Sequence, residues 1–225
     1  MRIGILQTGH APDEVRGTLG DYADMFKRLL DGQDFEFQTF DVVDSVFPKG
    51  PGEADGWLIT GSRHAAYEDH DWIAPLEALI RDIAASGKPL IGVCFGHQIV
   101  AQALGGRVEK FRGGWSVGRQ VYDFGDDELA LNAWHQDQVV ELPEGAQVIA
   151  ESDFCPYAAL VIGDNILTVQ PHPEFDAKMV AALIDHRGEA VPDELLEAAK
   201  AGLTKTTAND QMAERMAAFF RKGAK

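Results

Sequence analysis

Short unbroken apolar runs alternate with longer stretches of helical spacing through the first hundred positions. Residues 2–8 read as a buried strand, followed by a loop rich in Gly, Pro and Asp. Tyr22, Met25, Phe26, Leu29 and Leu30 recur every three or four residues, which predicts a helix. Residues 35–40 alternate as a second strand, and 56–60 form a third that ends at Gly61-Ser62. A helix is expected over 72–84, with Leu76, Leu79, Ile80 and Ile83 on one face, and Gly87-Lys88-Pro89 stops it. Residues 90–93 are a fourth strand and 99–104 a further helical pattern. Strands alternating with helices of this length imply a parallel sheet covered on both faces.

The rhythm changes after Gly105-Gly106. Residues 107–111, 118–124, 138–142, 147–152, 158–162 and 166–169 are short strand-like runs separated by turn signals such as Gly163-Asp164-Asn165. They predict a β-rich, partly antiparallel extension of the sheet in the middle third. Helical patterns return at 177–185, 193–201 and 209–220. The last carries Met212, Met216, Phe219 and Phe220 on one side, a stripe that suits core packing better than a dimer or partner surface. Arg221, Lys222 and Lys225 suit the dipole at its C-terminal end. No repeat or interdomain linker interrupts the pattern, so residues 1–225 are expected to form one α/β domain.

Composition narrows the function. The chain has 225 residues, 45% hydrophobic and 25% charged, with a formal net charge of -16. So acidic a surface repels nucleic acid and anionic membrane, and neither is expected as a partner. Two cysteines, Cys94 and Cys155, give no disulfide framework. The first residues are too brief an apolar run for a signal peptide, and no run is long enough to span a bilayer. A cytoplasmic location with reduced thiols is the expectation.

The run Pro89-Leu-Ile-Gly-Val-Cys94-Phe-Gly96-His-Gln98 carries the most chemistry. A buried strand that ends in a glycine-flanked nucleophile and turns at once into a helix is a nucleophile elbow. The backbone at such a turn is strained, and its neighbours must lack bulk for strand and helix to approach. The positive potential at a helix N-terminus favours a thiolate. A cysteine nucleophile needs a base, and the base an orienting group. His172 lies in Gln170-Pro-His172-Pro-Glu174, just past a predicted strand. In extended backbone residues i and i+2 face the same way, so His172 and Glu174 can lie side by side, stiffened by Pro171 and Pro173. A triad of Cys94, His172 and Glu174 follows.

These two motifs together resemble the class I (triad-type) glutamine amidotransferase family, and the likeness extends over roughly residues 50–185. The chain looks like a stand-alone member similar to the glutaminase part of GMP synthase. The resemblance implies a flavodoxin-like, mostly parallel central sheet flanked by helices, and hydrolysis of a glutamine side-chain amide. It implies attack by Cys94 on the γ-carbonyl and an oxyanion held by the backbone N–H groups of Phe95 and the Gly61-Ser62 loop. The family commonly shows Gly-Gly-Pro where this chain has Gly61-Ser62-Arg63. Gln98 resembles a glutamine-contacting position. The segment Asn132-Ala-Trp134-His135-Gln136-Asp137 resembles the one that binds the substrate's α-amino and α-carboxylate groups, with Asp137 suited to an ammonium. Trp134 stands where nucleotide-biosynthetic members tend to have a small residue; it either packs in the core or reshapes the pocket.

Other features imply less. His64 and His70, in an acidic stretch with Glu68, lack tight zinc-ligand spacing, and a solvated loop without metal is the expectation. Gly105-Gly106 and Gly113-Gly114 open no helix after a strand, and no phosphate loop is present, so no cofactor is expected. Cys155 reads as a packed bystander. The first functional expectation is a glutaminase that supplies ammonia to a separate synthetase. The second is a γ-glutamyl peptide or amide hydrolase with the same triad, which the Lys110–Gly118 segment favours by its likeness to stand-alone members. A non-catalytic binding protein on the same scaffold is the third.

Overall fold

The structure, a computed structural model, describes residues 1–223. Its first half runs β1 (Arg2–Gln7), α1 (Asp13–Leu19), α2 (Tyr22–Leu29), β2 (Glu36–Asp41), β3 (Gly56–Ile59), α3 (Ile73–Ser86), β4 (Leu90–Val93) and α4 (Phe95–Ala103). Next come β5 (Arg107–Lys110), β6 (Ser116–Asp123), β7 (Glu128–His135), β8 (Asp137–Glu141), β9 (Ala146–Ala150), β10 (Ala159–Ile162) and β11 (Ile166–Val169). The helices α5 (Ala177–Arg187), α6 (Asp193–Gly202) and α7 (Asn209–Gly223) close the chain.

Seven strands form the central sheet in the order β2-β1-β3-β4-β11-β10-β9. The first five are parallel, and β10 and β9 add antiparallel at one edge. The period of two sorts each strand's side chains onto opposite faces. Ile3, Ile5, Leu58, Ile91, Val93, Leu167 and Val169 face one core, with Phe26 of α2 and Met212, Met216 and Phe220 of α7. Leu6, Trp57, Ile59, Leu90 and Ile166 face the other, with Leu76, Ile80 and Ile83 of α3 and Ile99 of α4. Burial on both faces explains why these strands read as unbroken apolar runs. Gly4 is opposite Trp57 in the β1–β3 register, and a Cβ there would lie 2.4 Å from the indole ring. The stripe on the last helix is therefore core. Lys225, read as a dipole partner of that helix, lies outside the described residues.

The middle third departs from a simple extension of the sheet. Of its strands β9, β10 and β11 join it; β5 pairs with β8, and β6 with β7, as two separate antiparallel ribbons. The β6–β7 ribbon is tied back through bridges Asp123–Glu151 and Asn132–His172. That second bridge places the end of β7 beside the ends of β4 and β11. No helix among the described residues is long and apolar enough to cross a membrane.

Candidate active site

β4 ends at Cys94, whose backbone adopts φ 52° and ψ -102°, and α4 begins at the next residue. A positive φ is costly for a non-glycine residue and persists only where its surroundings impose it. Here the Cys94 N–H donates to the Val169 carbonyl at 2.9 Å, and the Gln98 N–H to the Cys94 carbonyl at 3.1 Å. The flanking glycines let the backbones meet. A Cβ on Gly92 would stand 2.4 Å from the Gly96 carbonyl oxygen, and one on Gly96 2.4 Å from that of Ile59.

His172 and Glu174 reach the same place from the segment after β11. The His172 N–H donates to the Asn132 carbonyl at 2.8 Å. Its Nδ1 lies 2.7 Å from Glu174 Oε1, and both side chains are buried. The imidazole stacks on Phe175 with ring centroids 3.9 Å apart, and Asn132 Nδ2 holds the Phe175 carbonyl at 2.8 Å. Burial works against a charged imidazole, but the Glu174 carboxylate and the Cys94 sulfur outweigh it and push His172 up to about 10. With Nδ1 donating to the carboxylate, Nε2 is left for the sulfur. A thiol can pass its proton to an imidazole so placed, and the imidazolium is stabilised where it forms.

Gly61 borders this group: a Cβ there would lie 2.8 Å from His172 Cε1 and 3.8 Å from Cys94 Cβ. The Phe95 N–H, at the first position of α4, has no intrahelical acceptor. Both backbone positions expected for the oxyanion therefore adjoin Cys94.

The remaining expected residues line a cavity of about 360 Å³ together with Cys94 and His172. Gln98 borders it, but its amide nitrogen donates inward to the Asp137 carbonyl at 2.9 Å and to Gln170 Oε1 at 3.1 Å. His135 Nδ1 is 3.2 Å from the same carbonyl, and its Nε2 is buried without a partner among the described residues. Burial, reinforced by His172, lowers His135 to about 4, so the ring is neutral. Burial raises the half-buried Asp137 carboxyl, opposed by Tyr67 and Lys110. Trp134 does both things open to it: it lines the cavity and packs against the cluster around Phe175, Met179 and Leu183.

Several lining residues had no signal in the spacing of the sequence. Arg63, Lys110, Trp115 and Arg187 come from the β3–α3 loop, β5, the turn before β6 and the end of α5. Tyr22, read as a core position, also reaches the cavity. The turn at 65–68 folds the β3–α3 loop back, so that His64, Glu68 and His70 bring their donor atoms within 4.8 Å of one another. Cys155 is buried, and burial pushes its thiol up to about 12.

Residues 43–217 match the family model described as Glutamine amidotransferase class-I. The chain belongs to the class I glutamine amidotransferase family. Among its relatives, Gamma-glutamyl peptidase 2 of Arabidopsis thaliana is 30% identical over 238 residues, covering 99% of this chain and 96% of that protein. A glutamine-hydrolyzing GMP synthase subunit of Halobacterium salinarum is 32% identical over 165 residues, covering 69% of this chain and 84% of its own length. The crystal structure of a glutamine amido transferase from Methylobacillus flagellatus superposes with a TM-score of 0.78 at 25% identity. The match covers 99% of this chain and 94% of that one. In this family member the sheet and its flanking helices are thus those of the class I amidotransferases.

Proposed function

We propose that this family member hydrolyses γ-glutamyl amide bonds through a cysteinyl thioester, and that γ-glutamyl peptides are its substrate class. The observation that carries this reading is the composition of the cavity wall. Beyond Cys94 and His172 it includes Trp115 and Trp134 and three cationic side chains, Arg63, Lys110 and Arg187, set against two carboxylates, Glu68 and Asp137. A γ-glutamyl head brings one ammonium and one carboxylate; a residue attached through its amide adds a side chain and a second carboxylate. Aromatic walls and several cations suit the larger, more anionic ligand. Similarity to the Arabidopsis peptidase over nearly the whole length supports the same reading.

In this mechanism Cys94 transfers its proton to His172 and attacks the γ-carbonyl carbon. The oxyanion is met by the N–H groups of Phe95 and the Gly61 loop. The C–N bond breaks as His172 returns its proton to the leaving amine. His172 then takes a proton from water, whose oxygen attacks the thioester and releases glutamate and the Cys94 sulfur. Glu174 orients the imidazole and stabilises its charge. Asp137 faces the ammonium, and His135 and Gln98 shape the head-group subsite.

A second reading is a glutaminase that passes ammonia to a separate synthetase, favoured by the likeness to the GMP synthase of Halobacterium salinarum. Purified protein incubated with glutamine and with γ-glutamyl dipeptides, with Cys94→Ala as control, distinguishes the two. Glutamate release from dipeptides with a kcat/KM well above that for glutamine is expected, and none from the variant. Turnover of glutamine alone would sink the peptidase reading, and equal rates for wild type and Cys94→Ala would sink the thioester.

A further inference from the structure

Three metal-ligating side chains converge on the loop between β3 and α3, apart from the catalytic group. His64 Nδ1 lies 3.2 Å from Glu68 Oε2, and His70 Nε2 2.8 Å from the same oxygen. A tetrahedral zinc ion bonded at about 2.0–2.2 Å sets its donors roughly 3.3–3.5 Å apart. All three donor atoms lie within 4.8 Å of one another, so small side-chain adjustments seat an ion between them.

The imidazoles are braced for this. His70 stacks on Trp72 with ring centroids 5.8 Å apart and planes 7° from parallel, and His64 meets the same indole edge-on at 5.9 Å. Trp72 is buried and packs on Phe95, beside the nucleophile, at 5.6 Å. The loop backbone is fixed by the His64 N–H on Ser62 Oγ at 3.1 Å and by the turn that ends at Ile73. Two imidazoles and one carboxylate make a borderline-soft donor set. Calcium and magnesium call for oxygen ligands, so a divalent transition metal is selected.

We propose that His64, Glu68 and His70 form a binding site for a divalent transition-metal ion, zinc by donor type, at the rim of the active-site cavity. His64 and Glu68 also line that cavity, so the ion, one charge offset by the Glu68 carboxylate, leaves a net positive charge in its wall. Three protein donors leave a coordination position for water. The chain's net charge of -16 favours cation capture there.

The competing explanation for any metal uptake is ligation by Cys94 and His172, so the test is run on Cys94→Ala. Full-length protein stripped with chelator is titrated with cobalt(II), followed by visible absorption, and with zinc, followed by calorimetry. The Cys94→Ala protein is expected to bind one equivalent of each metal, with cobalt bands of low coordination number and no thiolate charge-transfer band. Adding His64→Ala and His70→Ala should weaken binding by more than about 100-fold, and Glu68→Gln alone by about 10-fold or more. Far-ultraviolet circular dichroism checks that the variants fold, and the Glu68→Gln variant decides the matter if the double substitution does not. Failure of Cys94→Ala to bind either metal, or equal affinity with and without the loop ligands, would overturn the proposal.

Discussion

His172 holds a buried imidazole between a carboxylate and a sulfur, and this fixes how stability should depend on pH. Its ordinary value is 6.5, and in the folded protein Glu174 and Cys94 prevail over burial to raise it to about 10. A group raised on folding contributes stability that is fully present below its unfolded value and lost as pH rises through the folded one. Glu174→Gln removes the charge that favours the imidazolium, so its destabilisation should be greatest near pH 6.5, on the order of 1–3 kcal/mol. It should shrink toward pH 10, as followed by denaturant unfolding of both proteins; a gap that widens with pH would contradict the assignment. Gly61→Ala tests position instead of charge. Its Cβ would press on His172 Cε1 from 2.8 Å. Displacing the ring should lower kcat by about 100-fold while the melting temperature changes little. The proximity of His172 to Glu174 was legible from their spacing, but the extended backbone expected of Pro171 and Pro173 is not what makes it. Residues 173–174 form a turn, with the Phe175 N–H on the His172 carbonyl at 3.4 Å, and that turn folds the carboxylate back onto the ring. The inward hydrogen bonds of Gln98 were not, since they end on Asp137 and Gln170, residues 39 and 72 positions away.

At the scale of elements, the junction of β4 and α4 depends on two absent side chains. The atoms that a Cβ on Gly92 or Gly96 would strike at 2.4 Å are backbone carbonyl oxygens, which cannot swing aside. Gly92→Ala and Gly96→Ala should therefore each destabilise the protein by roughly 1–3 kcal/mol or more and displace Cys94. Gly17 is the opposite case. It sits inside α1 with nothing within 4 Å of a Cβ, and Gly17→Ala should stabilise by about 0.5–1 kcal/mol. Urea midpoints of the three variants should move in these opposite directions. The contrast also explains which elements could be read in advance. The strands of the central sheet and helices α3 and α7 announce themselves through apolar periodicity because they bury it. Helix α1 buries no residue and so carries no such signal. Strand β7 hides for another reason: Ala130, Asn132 and Ala133 have weak strand preference, and eight paired positions with β6 impose the conformation.

Across the whole molecule, a chain of net charge -16 gathers Arg63, Lys110 and Arg187 around one cavity. They arrive from segments more than 40 residues apart in sequence, which is why no local motif disclosed them. Two fields then act on an anionic substrate. The acidic surface repels it at a distance, but at physiological salt that field is screened beyond about 8 Å. Inside the cavity, partly removed from water, charge-assisted hydrogen bonds to guanidinium or ammonium groups are screened far less. The local term should win. A γ-glutamyl dipeptide with a free C-terminal carboxylate should be cleaved with a kcat/KM about 5–30-fold above that of its C-terminal amide, corresponding to about 1–2 kcal/mol of differential binding. Arg187→Gln or Lys110→Gln should erode this preference through KM, leaving kcat for the amide nearly unchanged. Raising ionic strength should reduce it only slightly. A preference for the amide that disappears as salt is added would mean that the long-range acidic field governs access, and the cations would then have to serve the γ-glutamyl head alone.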